Sequence, residues 1–132
     1  MPNATETYKN FITTLKEIST LDSAASLLSW DEQTFMPKKG AELRANQASL
    51  LARMSHEKFT DPKLNDTLGE LESSELVNER DSDPAVNIRW TRRLYDRAAK
   101  IPASLVEEMS RTAVLAHEAW VGARKSADFK AF

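Results

Sequence analysis

Tyr8-Lys9-Asn10-Phe11-Ile12-Thr13-Thr14-Leu15-Lys16-Glu17-Ile18 spaces its apolar residues three and four apart, the repeat of a helix that buries one stripe. The pattern extends in both directions. From Thr5 to Leu28 the same stripe takes in Tyr8, Phe11, Ile12, Leu15, Ile18, Leu21, Ala25 and Leu28, so a long first helix is expected. It runs into Ser29 to Gly40, where Pro37 disfavours a helical Met36 and Gly40 offers a turn. Residues 29–40 therefore read as an ordered connector between helices.

Further along the chain, the punctuation is helical. A second helix is expected from Ala41 to Ser55, with Leu43, Gln47, Leu50, Leu51 and Met54 on one face. Three prolines stand where helices begin, since the missing N–H costs nothing at the first helical position. Asp61 is placed to cap a helix opening at Pro62 and burying Leu64, Leu68 and Leu71. Asp83 is placed to cap another at Pro84, whose inner face reads Val86, Trp90, Leu94, Ala98 and Ile101. Pro102 opens the last helix, with Leu105, Met109, Thr112, Ala113, Ala116, Trp120 and Ala123 facing in. Between these, residues 72–82 are polar and read as a loop open to mobility. The expected fold is all-α: an irregular bundle of about five helices forming one unit over residues 1–132.

Composition narrows the function. The chain has 132 residues, 41% of them hydrophobic and 29% charged, with three glycines and five prolines, which leaves little material for an all-β fold. Eighteen basic against twenty acidic residues give a net charge of −2, so no basic field favours nucleic acid. Arg89-Trp90-Thr91-Arg92-Arg93-Leu94-Tyr95-Asp96-Arg97 interleaves aromatics with arginines, but helical spacing lets those arginines pair with acids. No cysteine is present, which removes disulfides, thiol nucleophiles and thiolate metal sites. No signal-peptide layout follows Met1-Pro2, and no apolar run reaches the roughly 20 residues of a membrane span. A cytoplasmic protein with no membrane or nucleic-acid partner is the expectation.

Catalytic groups are sparse. His56-Glu57 and His117-Glu118 each begin like a zinc-peptidase motif, yet Thr60 and Val121 stand where the second histidine belongs. Glu107-Glu108 falls at the start of a helix, where the helix dipole favours acids. Asp31-Glu32 lies between Trp30 and Phe35-Met36-Pro37. Those carboxylates serve either as groups fixed by aromatic anchors or as caps for their own segment. No phosphate loop or nucleophile elbow occurs. Neither a catalytic residue nor a metal ligand is assigned to this chain.

Leu28-Ser29-Trp30-Asp31-Glu32-Gln33-Thr34-Phe35-Met36-Pro37, followed by Gly40-Ala41-Glu42-Leu43-Arg44-Ala45-Asn46-Gln47, resembles the N-terminal signature of the thermostable carboxypeptidase Taq family. Ile101-Pro102-Ala103-Ser104-Leu105-Val106-Glu107-Glu108, Ala116-His117-Glu118-Ala119-Trp120 and Asp128-Phe129 resemble the same family's later segments, in the same order. The resemblance implies the N-terminal helical part of a larger, mostly helical metallocarboxypeptidase, roughly four times this length on the usual domain scale. It also implies a zinc or cobalt ion held by a histidine-glutamate-x-x-histidine helix beyond these residues, peptide substrates trimmed at the C-terminus, and homodimers. The signature positions it marks here are Trp30, Asp31, Met36, Pro37, Gly40, Arg44 and Gln47, as structural or groove-wall residues. Arg44 suits a bidentate bond to Asp31 or Glu42, while Trp30 and Met36 pin the connector.

On this reading the chain alone is inactive and binds no cofactor. The apolar start at Phe129-Lys130-Ala131-Phe132 suits a piece of a longer protein, and exposed apolar helix faces are expected to drive homo-oligomerisation. The alternative is a stand-alone helical protein-interaction module.

Overall fold

The structure, a computed structural model, describes residues 3–130. The readings at Met1-Pro2 and Ala131-Phe132 lie outside the described residues. Five α-helices and one 3-10 turn, with no strand, make up the described residues. They are α1 (Ala4–Thr34), α2 (Ala41–Phe59), α3 (Pro62–Glu72), α4 (Asp83–Ala98) and α5 (Ala103–Ser126), with the turn at Glu75–Val77. The all-α expectation holds. No helix among the described residues is long and apolar enough to cross a membrane.

Helix α1 starts at Asn3, whose side chain accepts from the Thr5 N–H at 3.1 Å. It continues beyond Leu28 because nothing breaks it before Pro37. Ser29 to Thr34 are thus helical, and the connector shrinks from the expected 29–40 to Phe35–Gly40. Helix α2 likewise runs past Ser55 to Phe59, stopping short of Pro62. Asp61 caps α3 as expected, accepting from the Lys63 N–H at 2.8 Å. At α4 the cap is Ser82 rather than Asp83, which lies inside the first turn. The polar stretch 72–82 also differs from the expected loop. Ser74 caps the 3-10 turn, and Leu76 and Val77 pack against the core.

The chain divides into two compact units. One comprises the chain up to Thr20 together with His56–Pro102; the other comprises Leu21–Ser55 together with the chain from Ala103 onward. Both α1 and α2 are long enough to contribute to each.

The first unit has a true core of Phe11, Leu64, Leu68, Leu71, Ile88 and Tyr95, bordered by Tyr8, Ile12, Leu15 and Phe59. Here α3 delivers its three expected leucines. On α4, however, the buried residues are Ala85, Ile88, Thr91 and Tyr95, while Val86, Trp90 and Leu94 face solvent. Arg92 braces this face. Its Nε and Nη2 donate to the two Glu72 oxygens at 2.9 and 3.2 Å, and its Nη1 donates to Asn65 Oδ1 at 2.8 Å. The bond to Glu72 holds the Arg92 guanidinium above its ordinary pKa, so the brace stays charged at any working pH.

In the second unit the buried residues are small: Ala45, Ser49, Val114 and Ala123. The faces expected to be buried on α2 and α5 are instead largely exposed, Leu43, Leu50 and Met54 on one and Leu105 and Met109 on the other. On α2 the buried residues are the small Ala45 and Ser49, on α4 the buried face carries Ile88 and Tyr95 beside Ala85 and Thr91, and on α5 Ala123 of the expected face is buried along with Val114.

Helix α5 ends in a Schellman turn. The Asp128 N–H donates to the Ala123 carbonyl at 3.1 Å and the Ala127 N–H to the Arg124 carbonyl at 3.4 Å, with Ala127 at φ 52°. An L-residue is strained there. Ala127→Gly is therefore expected to stabilise the chain by about 0.5–1 kcal/mol, seen as a higher urea midpoint with an unchanged slope. A lower midpoint would show that the left-handed turn does not form in solution.

Candidate functional site

The signature positions divide into a clamp and a turn, both in the second unit. Arg44, in the first turns of α2, is the centre of the clamp. Its Nη2 donates to Asp31 Oδ2 and its Nη1 to the Leu28 carbonyl, each at 2.6 Å. Its Nε donates to Gln47 Oε1 at 3.1 Å. Asp31 is the partner that Arg44 selects from the two expected; Glu42 instead accepts from Arg111, which also donates to Asn46. The clamp closes because α1 stays helical past Leu28, which brings the Leu28 carbonyl and the Asp31 carboxylate to one guanidinium.

Three of the five N–H donors of Arg44 are thus spent on the chain itself. Its side chain is only 12% exposed. It acts as a strut rather than as a receptor for a substrate carboxylate.

Met36, Pro37 and Gly40 form the turn. The Met36 N–H donates to the Asp31 carbonyl at 2.9 Å, and the Gly40 N–H donates to the Pro37 carbonyl at 2.8 Å. A Cβ at Gly40 would meet both Met36 Cγ and the Pro37 oxygen at 3.1 Å. Glycine is favoured here, since a Cβ would force the Pro37 carbonyl or the Met36 side chain to give by a few tenths of an ångström. Trp30 stands apart from the clamp, exposed on α1, its ring edge-on to Phe35 at 5.6 Å. Met36 is half-buried, so of the two residues expected to pin the connector it is the one that does so.

A cleft of about 350 Å3 opens beside the clamp. Its lining combines Ala25, Leu28, Ala48, Ala52 and Val114 with the polar Glu32, Gln33, Arg44, Ser110 and His117. The cleft was not legible in the sequence, because small alanines on three helices carry no motif. His117 also stacks on Trp120 at 5.9 Å. His56 lies in the first unit, where its Nε2 donates to the Ile101 carbonyl at 2.7 Å, a proton-bearing nitrogen being required opposite a carbonyl. No group of three His, Asp or Glu side chains able to hold a metal occurs among the described residues.

Comparison with known proteins places this geometry. Residues 10–132 match the family model described as Carboxypeptidase Taq (M32) metallopeptidase. The chain is 39% identical over 125 residues to thermostable carboxypeptidase 1 of Thermus thermophilus, covering 95% of this chain and 24% of that protein. It is 30% identical over 131 residues to thermostable carboxypeptidase 1 of Pyrococcus furiosus, covering 96% and 25%. Among solved structures it is similar to one described as "BsuCP Crystal Structure", with a TM-score of 0.87 at 27% identity over 96% of this chain and 25% of that one. The chain spans about a quarter of the length of these relatives. Since the matched residues include the whole Asp31–Arg44–Gln47 clamp and the turn that follows α1, the chain belongs to the carboxypeptidase Taq (M32) metallopeptidase family and matches the N-terminal part of its members.

Proposed function

We propose that this chain is the N-terminal helical region of a metal-dependent carboxypeptidase that removes C-terminal residues from peptides in the cytoplasm. Its helices wall the substrate groove, and the 132 residues alone turn over no peptide. The observation that carries this reading is the rigid, self-satisfied clamp. A signature arginine with three of its five donors bound to Leu28, Asp31 and Gln47 builds a wall and leaves the chemistry to other groups.

Family membership implies a metal cofactor in the full-length enzymes, and we propose zinc or cobalt. The donors of this chain do not fit that ion. His56 is engaged by the Ile101 carbonyl, His117 stacks on Trp120, and no third donor joins either among the described residues. No catalytic step is assigned to them.

The test is an assay of the purified chain on peptides with free C-termini, with zinc or cobalt supplied. Rates are expected to equal those of a chelator-treated control, and turnover that a chelator abolishes would overturn the proposal. In the same preparation, light scattering is expected to report a mass above that of the monomer, as exposed apolar faces on α2, α4 and α5 pair between copies. A monodisperse monomer at high concentration would refute that association.

A further inference from the structure

Of the four arginines on α4, only Arg92 is paired with acids. Arg89, Arg93 and Arg97 are exposed and pair with no carboxylate among the described residues, although the chain carries twenty acids to eighteen bases. By contrast, Arg44, Arg53 and Arg111 each hold an acid. The apolar residues interleaved with the free arginines are not buried either, for Val86, Trp90 and Leu94 all face solvent. Ion pairing and burial therefore leave this face of α4 unexplained.

The two sets are ordered. Val86, Trp90 and Leu94 stand four residues apart, and so do Arg89, Arg93 and Arg97. Residues at that spacing form one ridge of a helix, so an apolar ridge and a cationic ridge run side by side. The Arg93 guanidinium lies over the Trp90 ring at 5.7 Å and ties the two together. Arg89 spends one N–H on the Arg80 carbonyl at 3.1 Å. Two acids belong to the same helix. Asp83 stands in its first turn, where the helix dipole favours it, and Asp96 lies 3.5 Å from Arg92.

We infer that the outer face of α4 is a docking surface for an amphipathic helix of another protein, one that carries an apolar ridge flanked by a ridge of glutamate or aspartate. Charge complementarity selects this occupant. Three unpaired guanidinium groups in a row recognise carboxylates bidentately, and the neighbouring apolar ridge supplies the area that a helix-on-helix contact buries. A lipid surface or a nucleic acid offers negative charge but no matching apolar ridge, and a chain of net charge −2 has little attraction for a polyanion. The face lies in the first unit and the Arg44 clamp in the second, so the inference goes beyond the carboxypeptidase reading and does not depend on it.

The probe is a synthetic alanine-based helix of about 18 residues, with leucines along one ridge and glutamates along the next. It is titrated by calorimetry into the purified chain, held dilute enough to be monomeric. Saturable one-to-one binding is expected, weakening as salt is raised. No saturation by about 1 mM peptide overturns the inference. Replacing Arg93→Glu and Arg97→Glu together is expected to weaken binding by about ten-fold or more, and a peptide with lysines in place of its glutamates is expected to bind that variant better than the original peptide does. Failure of this exchange overturns the inference. Lys16→Glu, an exposed change of the same sign on α1, is expected to alter binding by no more than about two-fold; a loss matching that of the arginine variant would mean that bulk charge alone is read, and overturns it. Trp90→Ala is expected to cost about ten-fold in affinity, and unchanged affinity removes the apolar ridge from the account. Vesicles of phosphatidylserine with phosphatidylcholine, and a single-stranded oligonucleotide, form the competing arms. Tighter binding to either, lost in the arginine variant, assigns the face to lipid or nucleic acid and overturns the helix.

Discussion

Phe11→Ala is expected to destabilise the chain by about 3–4 kcal/mol, within the range for removing a buried phenylalanine, and to lower Tm by roughly 10–18 °C at this chain length. Phe11 is 1% exposed and packs among Leu64, Leu68, Leu71, Ile88 and Tyr95. Its ring also sits 5.9 Å from that of Tyr8. Removing it takes away both the transfer term and the contacts of every neighbour, because α3 and α4 cannot close the space without breaking other contacts. The Arg92 brace from α4 to Glu72 resists such a collapse. The control is Trp90→Ala. Trp90 is the larger residue, yet it is 57% exposed, with Arg93 lying over its ring. At a concentration low enough to keep the chain monomeric, its loss is expected to change stability by no more than about 0.5 kcal/mol, as surface substitutions do. Urea unfolding of both variants checks the pair, and equal losses would mean that the core runs through the outer face of α4.

That contrast marks where sequence reading stops. On α1 and α3 a single apolar stripe exists, so the period alone identifies Phe11, Ile18, Leu64, Leu68 and Leu71 as buried, and the structure buries them. On α2 alanine and serine are buried beside the larger stripe, on α4 a second face of Ala85, Ile88, Thr91 and Tyr95 is buried, and on α5 Val114 is buried outside the expected face. Hydrophobicity ranks Leu43, Trp90 and Met109 above Ala45, Thr91 and Val114, while packing within this chain selects the latter. The period identifies stripes but does not say which partner each one meets.

Element ends were legible wherever a proline or a capping side chain forces them, as at Asp61-Pro62. They were missed where the sequence weakens without a breaker, as from Ser29 to Thr34 and from His56 to Phe59. Of the candidate site, the pairing of Arg44 with Asp31 was legible from the bidentate habit of arginine. The Leu28 carbonyl was not, because a backbone acceptor leaves no trace in residue identity. The Asp31 carboxylate lies one turn further along α1, which runs six residues beyond the periodic stripe.

Arg44→Ala is expected to cost about 2 kcal/mol, within the range for hydrogen bonds to charged groups. The effect has two unequal parts. Asp31 is 35% exposed, so water recovers much of what its carboxylate loses. The Leu28 carbonyl keeps its helical N–H and loses only its second, charge-assisted bond, which is part-buried at 2.6 Å and is the part water replaces less well. Arg44→Lys is expected to recover less than half of the loss. An ammonium is a single point charge and cannot hold the carbonyl, the carboxylate and the Gln47 oxygen at once. Asp31→Asn in the Arg44 background is expected to cost less than Arg44→Ala, since the Leu28 and Gln47 bonds survive. The location of the damage separates a clamp from a generic surface pair. Amide hydrogen exchange is expected to accelerate by an order of magnitude or more from Leu28 to Gly40, because the end of α1 and the Met36-Pro37 turn are held through Asp31 and Leu28. The core amides of Leu64 to Leu71 belong to the other unit and are expected to keep their protection. Uniform loss across both units would mean that Arg44 contributes to global stability alone. No change at either would mean that the guanidinium is free in solution and that the signature arginine is kept for a different purpose.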